Sequence, residues 1–559
     1  MKNVSILVFL FALLISCQRK QSFDVLIKNG QIIDGTAAPA YVGSVGINAD
    51  TIAYVGETLN ATGKIEIDAN GLSVAPGFIN MLSWATESLI VDGKSESDIR
   101  QGVTLEVMGE GWSMGPWNDT MKESAKKNQK DAYYEIEWTT LGEYLNYLQN
   151  KGIATNVASF VGATTLRVHE LKEADRPPTA EELERMKALA QTAMEEGAMG
   201  IGSSLIYAPA FYASTQELIA LCKVASEYNG MYISHIRSEG DYWLEAIDEL
   251  IQIAKAADIP AEIYHLKAGG KDNWGKWESA IAKIDSARKT GLKITTDMYT
   301  YTAGATGLDA AMPPWVQEGG YGDWARRLQD PVIRQKVAEE MRAKGEGWEN
   351  LMFAAGSPDK MILNGFRNDS LRYLTGKTLA EVAKMRGTSP EETAMDLVVQ
   401  DSSRVGTVYF LMSEENVKKQ LTLPYMSFGS DAASVAPVPP FTNYNPHPRA
   451  YGNFARLLGK YVREEQIIGL EEAVYKLSGL PASNLKLKKR GTLAKGNFAD
   501  VAIFDGAKII DKATFDEPHQ FAEGMIHVFV NGEQVLDNGD HTGATPGRFV
   551  KGPGYTAKN

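Results

Sequence analysis

The stretch MYISHIRSEGDYWLEAIDELIQIAKAADIPAEIYH, residues 231 to 265, contains two short apolar runs separated by one long amphipathic segment. This order is typical of a β-α-β unit whose two strands lie parallel in one sheet. The same alternation extends through the middle of the chain, with further helix candidates at 180–197 and 277–291. Eight or more such units predict an α/β protein closed into a (β/α)8 TIM-like barrel, with an open doubly wound sheet as the alternative. The strand candidates are FINML, VTLEVM, NVASFV, MGIGSS, MYISH, AEIYH, KITTDMY, LMFAA, TVYFLM and YMSFGSD.

Both ends of the chain have a different pattern, in which short β-type runs alternate with Gly, Asn and Asp turns. IKNGQIID near the start and FVNGEQVLD near the end share one hairpin pattern. We therefore predict that residues 23–75 and 487–559 pair into one small β-sandwich domain. The barrel, with an insertion, is expected to occupy residues 76–486.

The first 22 residues predict export. Lys2 precedes the apolar run VSILVFLFALLI, which is short and is followed by a cysteine and the polar residues QRK. The string LISC resembles the lipobox of bacterial lipoproteins, which implies a lipid anchor on Cys17 and a periplasmic or cell-surface location. An ordinary signal peptide or a short anchor is the alternative. The one other cysteine, Cys222, lies in an apolar helix-like segment and is expected to be a buried apolar group.

The charge of the chain excludes one class of partner. Lys plus Arg number 57 against 70 for Asp plus Glu, a formal net charge of −13 over 559 residues. Because no basic patch is available to neutralise phosphates, nucleic-acid binding is not expected.

Four residues with metal-binding or acid-base side chains each follow a strand candidate: Glu110, His235, His265 and Asp431. In a barrel the carboxyl ends of the strands converge on one face, where the active site lies. Taken singly, a histidine at such a place is usually a hydrogen-bonded core residue and an aspartate a helix cap. Together they predict a zinc site of two imidazoles and one carboxylate with an open fourth position. Asp431 then remains free to act as general base in amide hydrolysis.

At these residues the chain resembles the N-acyl-D-amino-acid deacylases (D-aminoacylases) of the amidohydrolase superfamily. The matching strings are GVTLEVMGEGWSMGP, GSSLIYAPAFYAST, SHIRSEGD, YHLKAGG, TDMYTYTAG, LMSEENV, GSDAAS, HPRAYGNFARLLGKY and DKATFDEPHQFAEGMIHVFVNG. The resemblance covers nearly the whole mature chain. It implies a barrel flanked by a β-sandwich built from both termini, and zinc-dependent removal of the acyl group from N-acyl-D-amino acids.

The chain departs from the family at the metal ligands. After the PGF turn the family has a His-x-His pair that helps to hold a second, loosely bound metal, whereas this chain has Leu82, Ser83 and Trp84. Since neither leucine nor tryptophan can ligate a metal, one ion is expected and the second site is predicted to be lost. The family's tight site uses a cysteine with two later histidines. Here Glu110 takes the place of the thiolate, and His235 and His265 match the histidines.

The resemblance also implies residues that bind the carboxylate of an N-acyl amino acid. Lys267 and Arg449 match such positions, and Tyr207, Tyr299 and Tyr301 are further pocket candidates. An ion pair between domains is the alternative for Arg449, and core packing is the alternative for the tyrosines.

Three functions remain open at this stage. The first is a single-zinc deacylase acting on N-acyl-D-amino acids or on dipeptides that end in a D-residue. The second is a catalytically dead family member that binds acyl-amino acids. The third is a cyclic amidohydrolase, for which a lysine bridging two metals would be expected. Lys267 lies too close to His265 for that role.

Overall fold

The structure is a computed structural model that describes residues 21–129 and 131–556. The predicted export segment, including Cys17, falls almost wholly outside the described residues. Within them, no helix combines the length and the apolar character needed to cross a membrane.

A parallel barrel forms the centre of the described chain. Its strands pair in chain order, and the last returns to the first, where the Met81 backbone N–H donates to the Phe428 carbonyl at 3.0 Å. Nearly every strand residue is buried, as expected when helices cover a parallel sheet. The barrel strands are Phe78–Asn80, Val103–Met108, Asn156–Ser159 continued by Val161–Gly162, Gly200–Ser204, Met231–His235, Ala261–Ile263, Ile294–Met298 and Met426–Phe428.

Amphipathic helices surround the barrel, and their ends follow local capping rules. The helix predicted at 180–197 forms at Ala180–Glu196. It begins with a capping box between Thr179 and Glu182 and ends at Gly197, which has a φ of 109°. The helices around the barrel are Ser88–Val91, Glu96–Ile99, Asp119–Asn128, Leu141–Lys151, Ala163–Leu171, Ala180–Glu196, Thr215–Glu227, Trp243–Ala257, Trp277–Lys289, Arg449–Arg456, the π-helix Leu457–Glu464, Leu470–Leu477 and Gly479–Asn484, with short 3-10 turns at Ala210–Tyr212, Lys271–Lys276 and Phe441–Asn443.

A long insertion separates the last two barrel strands. Two strand candidates fall in it: the first along the chain is wrong as a strand, and the second is a strand that does not belong to the barrel. TVYFLM forms a strand of a separate antiparallel sheet, and LMFAA is the helix Leu351–Ala355. That helix forms because the Asn350 side chain caps its first turn and Gly356, in the left-handed region, ends it. The insertion contains the strands Ala303–Gly307, Met361–Gly365 and Gly406–Phe410, the helices Pro314–Gln317, Tyr321–Arg327, Pro331–Arg342, Leu351–Ala355, Leu379–Arg386, Pro390–Asp401 and Glu414–Leu421, and 3-10 turns at Leu308–Ala311, Pro358–Lys360 and Asp369–Leu374.

The two ends of the chain share one hydrogen-bonded sheet of nine strands in the described residues. Ser73–Pro76 pairs antiparallel with Val501–Phe504, so the N-terminal and C-terminal strands meet directly. Ile27 and Val74 pack with Ile503 in one apolar core. The strands are Ser22–Ile32, Tyr41–Asn48, Thr51–Gly56, Thr62–Asp68, Ser73–Pro76, Val501–Phe504, Met525–Val530, Glu533–Asp537 and Asp540–His541.

Candidate active site

Three side chains converge at the carboxyl ends of the barrel strands. Glu110 Oε1 lies 3.1 Å from His235 Nδ1 and 3.1 Å from His265 Nε2. All three residues are at least 95% buried, and the ligand atoms that they offer lie within 4.8 Å of one another. We refer to Glu110, His235 and His265 as the metal cluster. Glu110 lies 125 positions before His235 and 155 before His265, and the three come together because their strand ends share one face of the barrel.

Residues at and beside the metal cluster have backbone φ angles that are uncommon in proteins. Glu110 lies between two glycines with positive φ, and a Cβ on Gly109 would clash with the backbone of Phe160. His265 has a φ of 35°, which is uncommon for a residue with a side chain. Its N–H donates to Asp297 Oδ1 at 2.7 Å, and this hydrogen bond helps to fix the conformation.

The electrostatics of the cluster favour a bound cation. Burial acts to raise the pKa of Glu110, but hydrogen bonds with both histidines outweigh it and lower the pKa to about 2. Burial and Lys267 act to lower the pKa of His265, but Glu239 and Glu110 outweigh them and raise it to about 10. Two imidazoles and one carboxylate form an established donor set for catalytic zinc, so the residues present fit this ion.

Glu239 is a member of the site that the sequence did not reveal. It lies on the side of the histidines opposite Glu110, with Oε1 2.9 Å from His265 Nδ1 and Oε2 3.6 Å from His235 Nε2. Lys267 Nζ donates to Glu239 Oε1 at 2.5 Å. Burial acts to raise the pKa of Glu239, but Lys267 and the two histidines outweigh it and hold the pKa below its usual value. In SHIRSEGD the glutamate follows His235 by four residues, but it lies in the loop after the strand, so this spacing alone did not indicate the contact.

Trp84 links the cluster to Asp431. Its indole N–H donates to Glu110 Oε2 at 3.0 Å and to Asp431 Oδ1 at 3.2 Å. Leu82, two residues earlier, is fully buried in an apolar cluster. One neutral donor therefore satisfies two carboxylates on this side of the site.

Asp431 also contacts the most deeply buried cation of the cavity. Arg449 Nη2 lies 2.8 Å from Asp431 Oδ2, and its guanidinium packs 4.4 Å from the centre of the Tyr299 ring. Burial raises the pKa of Asp431, although Arg449 acts in the opposite direction. Arg449 Nε and Nη1 are buried and have no hydrogen-bond partner among the described residues. These two donors are available to a ligand carboxylate.

A cavity of about 570 Å³ joins these groups, and we call it the catalytic cavity. Tyr207 lines it and packs edge-on against His235, with their ring centres 5.4 Å apart. Arg404, from the insertion, lies over the other side of Tyr207 at 4.9 Å from the ring centre. Lys267 and Tyr299 line the cavity as well.

Tyr301 is not among the described residues that line the catalytic cavity. Its hydroxyl donates to Asp511 Oδ2 at 3.0 Å and its ring packs under Arg456, so it lies in the packing between the barrel and the C-terminal segment. His447 does line the cavity, but both its ring nitrogens bond to backbone groups, of Ala303 and Arg449. Burial, followed by Arg449, lowers the pKa of His447 well below its usual value.

A parallel barrel with such a cluster at its strand ends is the arrangement of barrel hydrolases that use a bound metal. The chain belongs to the amidohydrolase family, whose model matches residues 66–536.

Two D-aminoacylases and one N-acyl-D-glutamate deacylase align with nearly the whole chain. A D-aminoacylase of Alcaligenes xylosoxydans xylosoxydans is 32% identical over 95% of this chain and 98% of its own length. The crystal structure of the N-acyl-D-glutamate deacylase of Bordetella bronchiseptica, in complex with zinc and a phosphonate inhibitor, is 29% identical, with a TM-score of 0.78 over 95% of this chain and 100% of that one. A solved D-aminoacylase with a binuclear metal centre, described by one-metal activation and second-metal attenuation, is 30% identical over the same shares, also with a TM-score of 0.78.

Proposed function

We propose that the protein is a zinc-dependent hydrolase that removes the acyl group from N-acyl-D-amino acids, or cleaves dipeptides that end in a D-residue, with a single metal ion. The observation that carries this proposal is the convergence of the metal cluster and Asp431 on one cavity that also contains two buried cations. The relatives named for deacylation of N-acyl-D-amino acids support the substrate class.

The cluster and Asp431 divide the chemistry between them. Zinc held by Glu110, His235 and His265 would polarise the amide carbonyl and make water a nucleophile near neutral pH. Asp431 accepts a proton from the attacking water and delivers it to the leaving amide nitrogen. The products are a carboxylic acid and a free amino acid. Burial raises the pKa of Asp431 and so makes its carboxylate a stronger base toward the proton of the attacking water.

The cations hold the substrate by its carboxylate. Arg449 offers two unpartnered N–H donors, and Lys267 offers a point charge on the same wall of the cavity. Tyr299 lies between them, with its ring under Arg449 and 5.5 Å from Lys267 Nζ. Tyr207 forms part of the wall beside His235.

A single ion is proposed because the two positions after the first barrel strand offer no metal ligand, and the two carboxylates near them are already hydrogen-bonded. Leu82 and Trp84 occupy the positions after the first barrel strand, and the indole N–H already satisfies Glu110 and Asp431. The related enzyme with one-metal activation supports activity with one ion.

The test is an assay of purified protein after zinc loading. Matched N-acetyl-D-amino acids and N-acetyl-L-amino acids are offered, and release of the free amine is measured together with zinc content. We expect hydrolysis of D-substrates only, at close to one zinc per chain. A protein that holds one zinc but releases amine from neither enantiomer would instead support a binding role.

We also propose that the mature protein is exported and anchored to a membrane by lipid on Cys17. The support is the sequence of the first 22 residues alone. Growth with a labelled fatty acid, compared between the natural protein and Cys17→Ser, tests this proposal. Equal labelling of both would contradict it.

A further inference from the structure

A second cavity, of about 600 Å³, lies beside the catalytic cavity. Trp84, Trp112, Ala433 and Tyr444 line both cavities, so the two share a wall. Trp84 is the residue that hydrogen bonds to Glu110 and Asp431, which places this wall next to the reacting groups. We call the new space the aromatic cavity. Its volume is within the range of pockets that hold small-molecule ligands.

The two cavities differ in charge. Lys267, Arg404 and Arg449 line the catalytic cavity, whereas no lysine, arginine or histidine lines the aromatic cavity in the described part of the chain. The acids on the aromatic side, Glu87 and Asp131, are exposed. A substrate carboxylate can therefore pair with a cation in the first cavity, whereas the described lining of the second cavity offers none.

The remaining lining of the aromatic cavity suits an apolar group. Trp112 leaves 39% of its surface exposed although it lies two residues from Glu110. Met114, Trp117 and Phe441 contribute further apolar surface. Exposed aromatic surface that continues directly from a reaction centre is typical of a ligand-binding site.

We propose that the aromatic cavity is the subsite for the acyl group, and that the preferred substrates are D-amino acids acylated with a long aliphatic or aromatic acid. This proposal rests on the proposed deacylase function and specifies its substrate class. With the carboxylate on the cations and the carbonyl at the metal cluster, the acyl group is the uncharged end of the substrate. The aromatic cavity is the adjoining space, and its lining is largely apolar and contains no cation among the residues that the structure describes.

The experiment uses two substrate series and the zinc-loaded full-length protein. In the first series D-leucine carries an acetyl, butanoyl or octanoyl group, and in the second an acetyl group is carried by D-alanine, D-leucine or D-tryptophan. We expect kcat/KM to rise along the acyl series by up to about fourfold for each buried methylene. In the side-chain series, we expect the relative kcat/KM values not to depend on whether the aromatic cavity is open or filled.

Variants that fill the cavity locate the effect. Ala125 lies on the helix Asp119–Asn128 and lines only the aromatic cavity, and Ala132 lines it from the following loop. Ala125→Trp and Ala132→Trp should each lower the ratio of octanoyl to acetyl kcat/KM on the order of tenfold. Ser124→Trp, at the neighbouring exposed position of the same helix, is the matched control and should keep the natural ratio.

The outcomes separate this inference from the proposed function. An unchanged ratio in both filled variants, or a loss that follows the D-side chain instead of the acyl group, overturns the acyl subsite while the deacylase function stands. If no substrate is hydrolysed, the deacylase function fails, and calorimetric binding of octanoyl- and acetyl-D-leucine decides the subsite. Tighter binding of the octanoyl compound that Ala125→Trp abolishes would support it, and equal binding would overturn it.

Discussion

The two sides of the catalytic cavity are built from the same kind of strand end but carry opposite chemistry. On one side Glu110, His235 and His265 present three ligand atoms, and Glu239 lies behind the histidines. On the other side the first barrel strand leads to Trp84, whose single N–H contacts two carboxylates. The first side concentrates negative charge that a cation would neutralise. On the second side, the neutral indole N–H of Trp84 already hydrogen-bonds to the carboxylates.

In the proposed single-ion enzyme, the side chains at the strand ends, and not the barrel itself, set the number of metal ions. Each strand end offers a position, and the side chain there decides whether a carboxylate is satisfied by an ion or by a hydrogen bond. Glu110 belongs to both sides of the site, because its Oε1 contacts the two histidines and its Oε2 accepts a hydrogen bond from Trp84. Four variants test this difference between the two sides.

Glu110→Ala should have the largest effect. The metal cluster would lose its one carboxylate and leave two imidazoles that cannot balance the charge of the ion. We expect zinc affinity to fall by more than about 100-fold, since even residues behind the ligands cost about 10- to 100-fold, and activity should fall with it. Zinc affinity is measured by competition with a chromogenic chelator. Glu391→Ala, which removes a buried glutamate paired with Arg342 outside the catalytic cavity, is the control and should bind zinc normally.

Asp431→Asn should abolish proton transfer while leaving the metal cluster intact. Asparagine is the appropriate replacement because Asp431 has a φ of 48°, a conformation that asparagine adopts more readily than most residues. We expect kcat to fall by about 10²- to 10⁴-fold with zinc content unchanged. Asp511→Asn, which alters a comparable pair with Arg456, controls for the loss of an Asp–Arg contact. Zinc loss in Asp431→Asn would place Asp431 among the ligands instead.

Glu239→Gln should weaken the metal side without removing a ligand. The amide keeps the shape of the side chain but loses the charge that faces His265 Nδ1 and Lys267. We expect zinc affinity to fall by about 10- to 100-fold, with activity restored at high zinc concentration. Glu249→Gln, which changes a glutamate paired with Arg237, is the matched control. Activity that stays low at saturating zinc would indicate that Glu239 acts on the substrate and not through the histidines.

The fold could be predicted where local pattern and tertiary environment agree. Alternating strands and helices indicated the barrel, and the hairpin patterns at both ends indicated that the termini associate. The apolar run LMFAA misled, because five apolar residues fit a buried strand and a buried helix equally well. The capping side chain of Asn350 and Gly356 decide between the two. In a sequence, the two capping residues are a weaker signal of secondary structure than the apolar run between them.

The site could be predicted in part. The three cluster residues and Asp431 are predicted because each follows an apolar run, and the structure brings all four to one cavity. Glu239 was not predicted, because it lies in the loop after a strand. The conformation of that loop brings its carboxylate to the histidines. Tyr301 was a pocket candidate with core packing as the alternative, and its contact with Asp511 differs from the contact of Tyr299 with Arg449. Neither the loop path nor the side-chain direction can be read from spacing alone.

The double variant Leu82→His with Trp84→His tests the comparison most directly and should have the smallest effect on activity. Leu82 and Trp84 belong to one apolar cluster, and the indole of Trp84 contacts both carboxylates, so the two imidazoles would lie close to those oxygens. We expect up to one additional zinc per chain at raised zinc concentration, with a change in kcat below about tenfold, because the three cluster residues and Asp431 remain. Trp84→Phe is the matched control, since it removes the N–H without adding a ligand. An equal ratio of zinc to protein in the double variant and in Trp84→Phe would show that this side is closed to metal by the surrounding packing, in which Leu82 is fully buried, and not by the two side chains themselves.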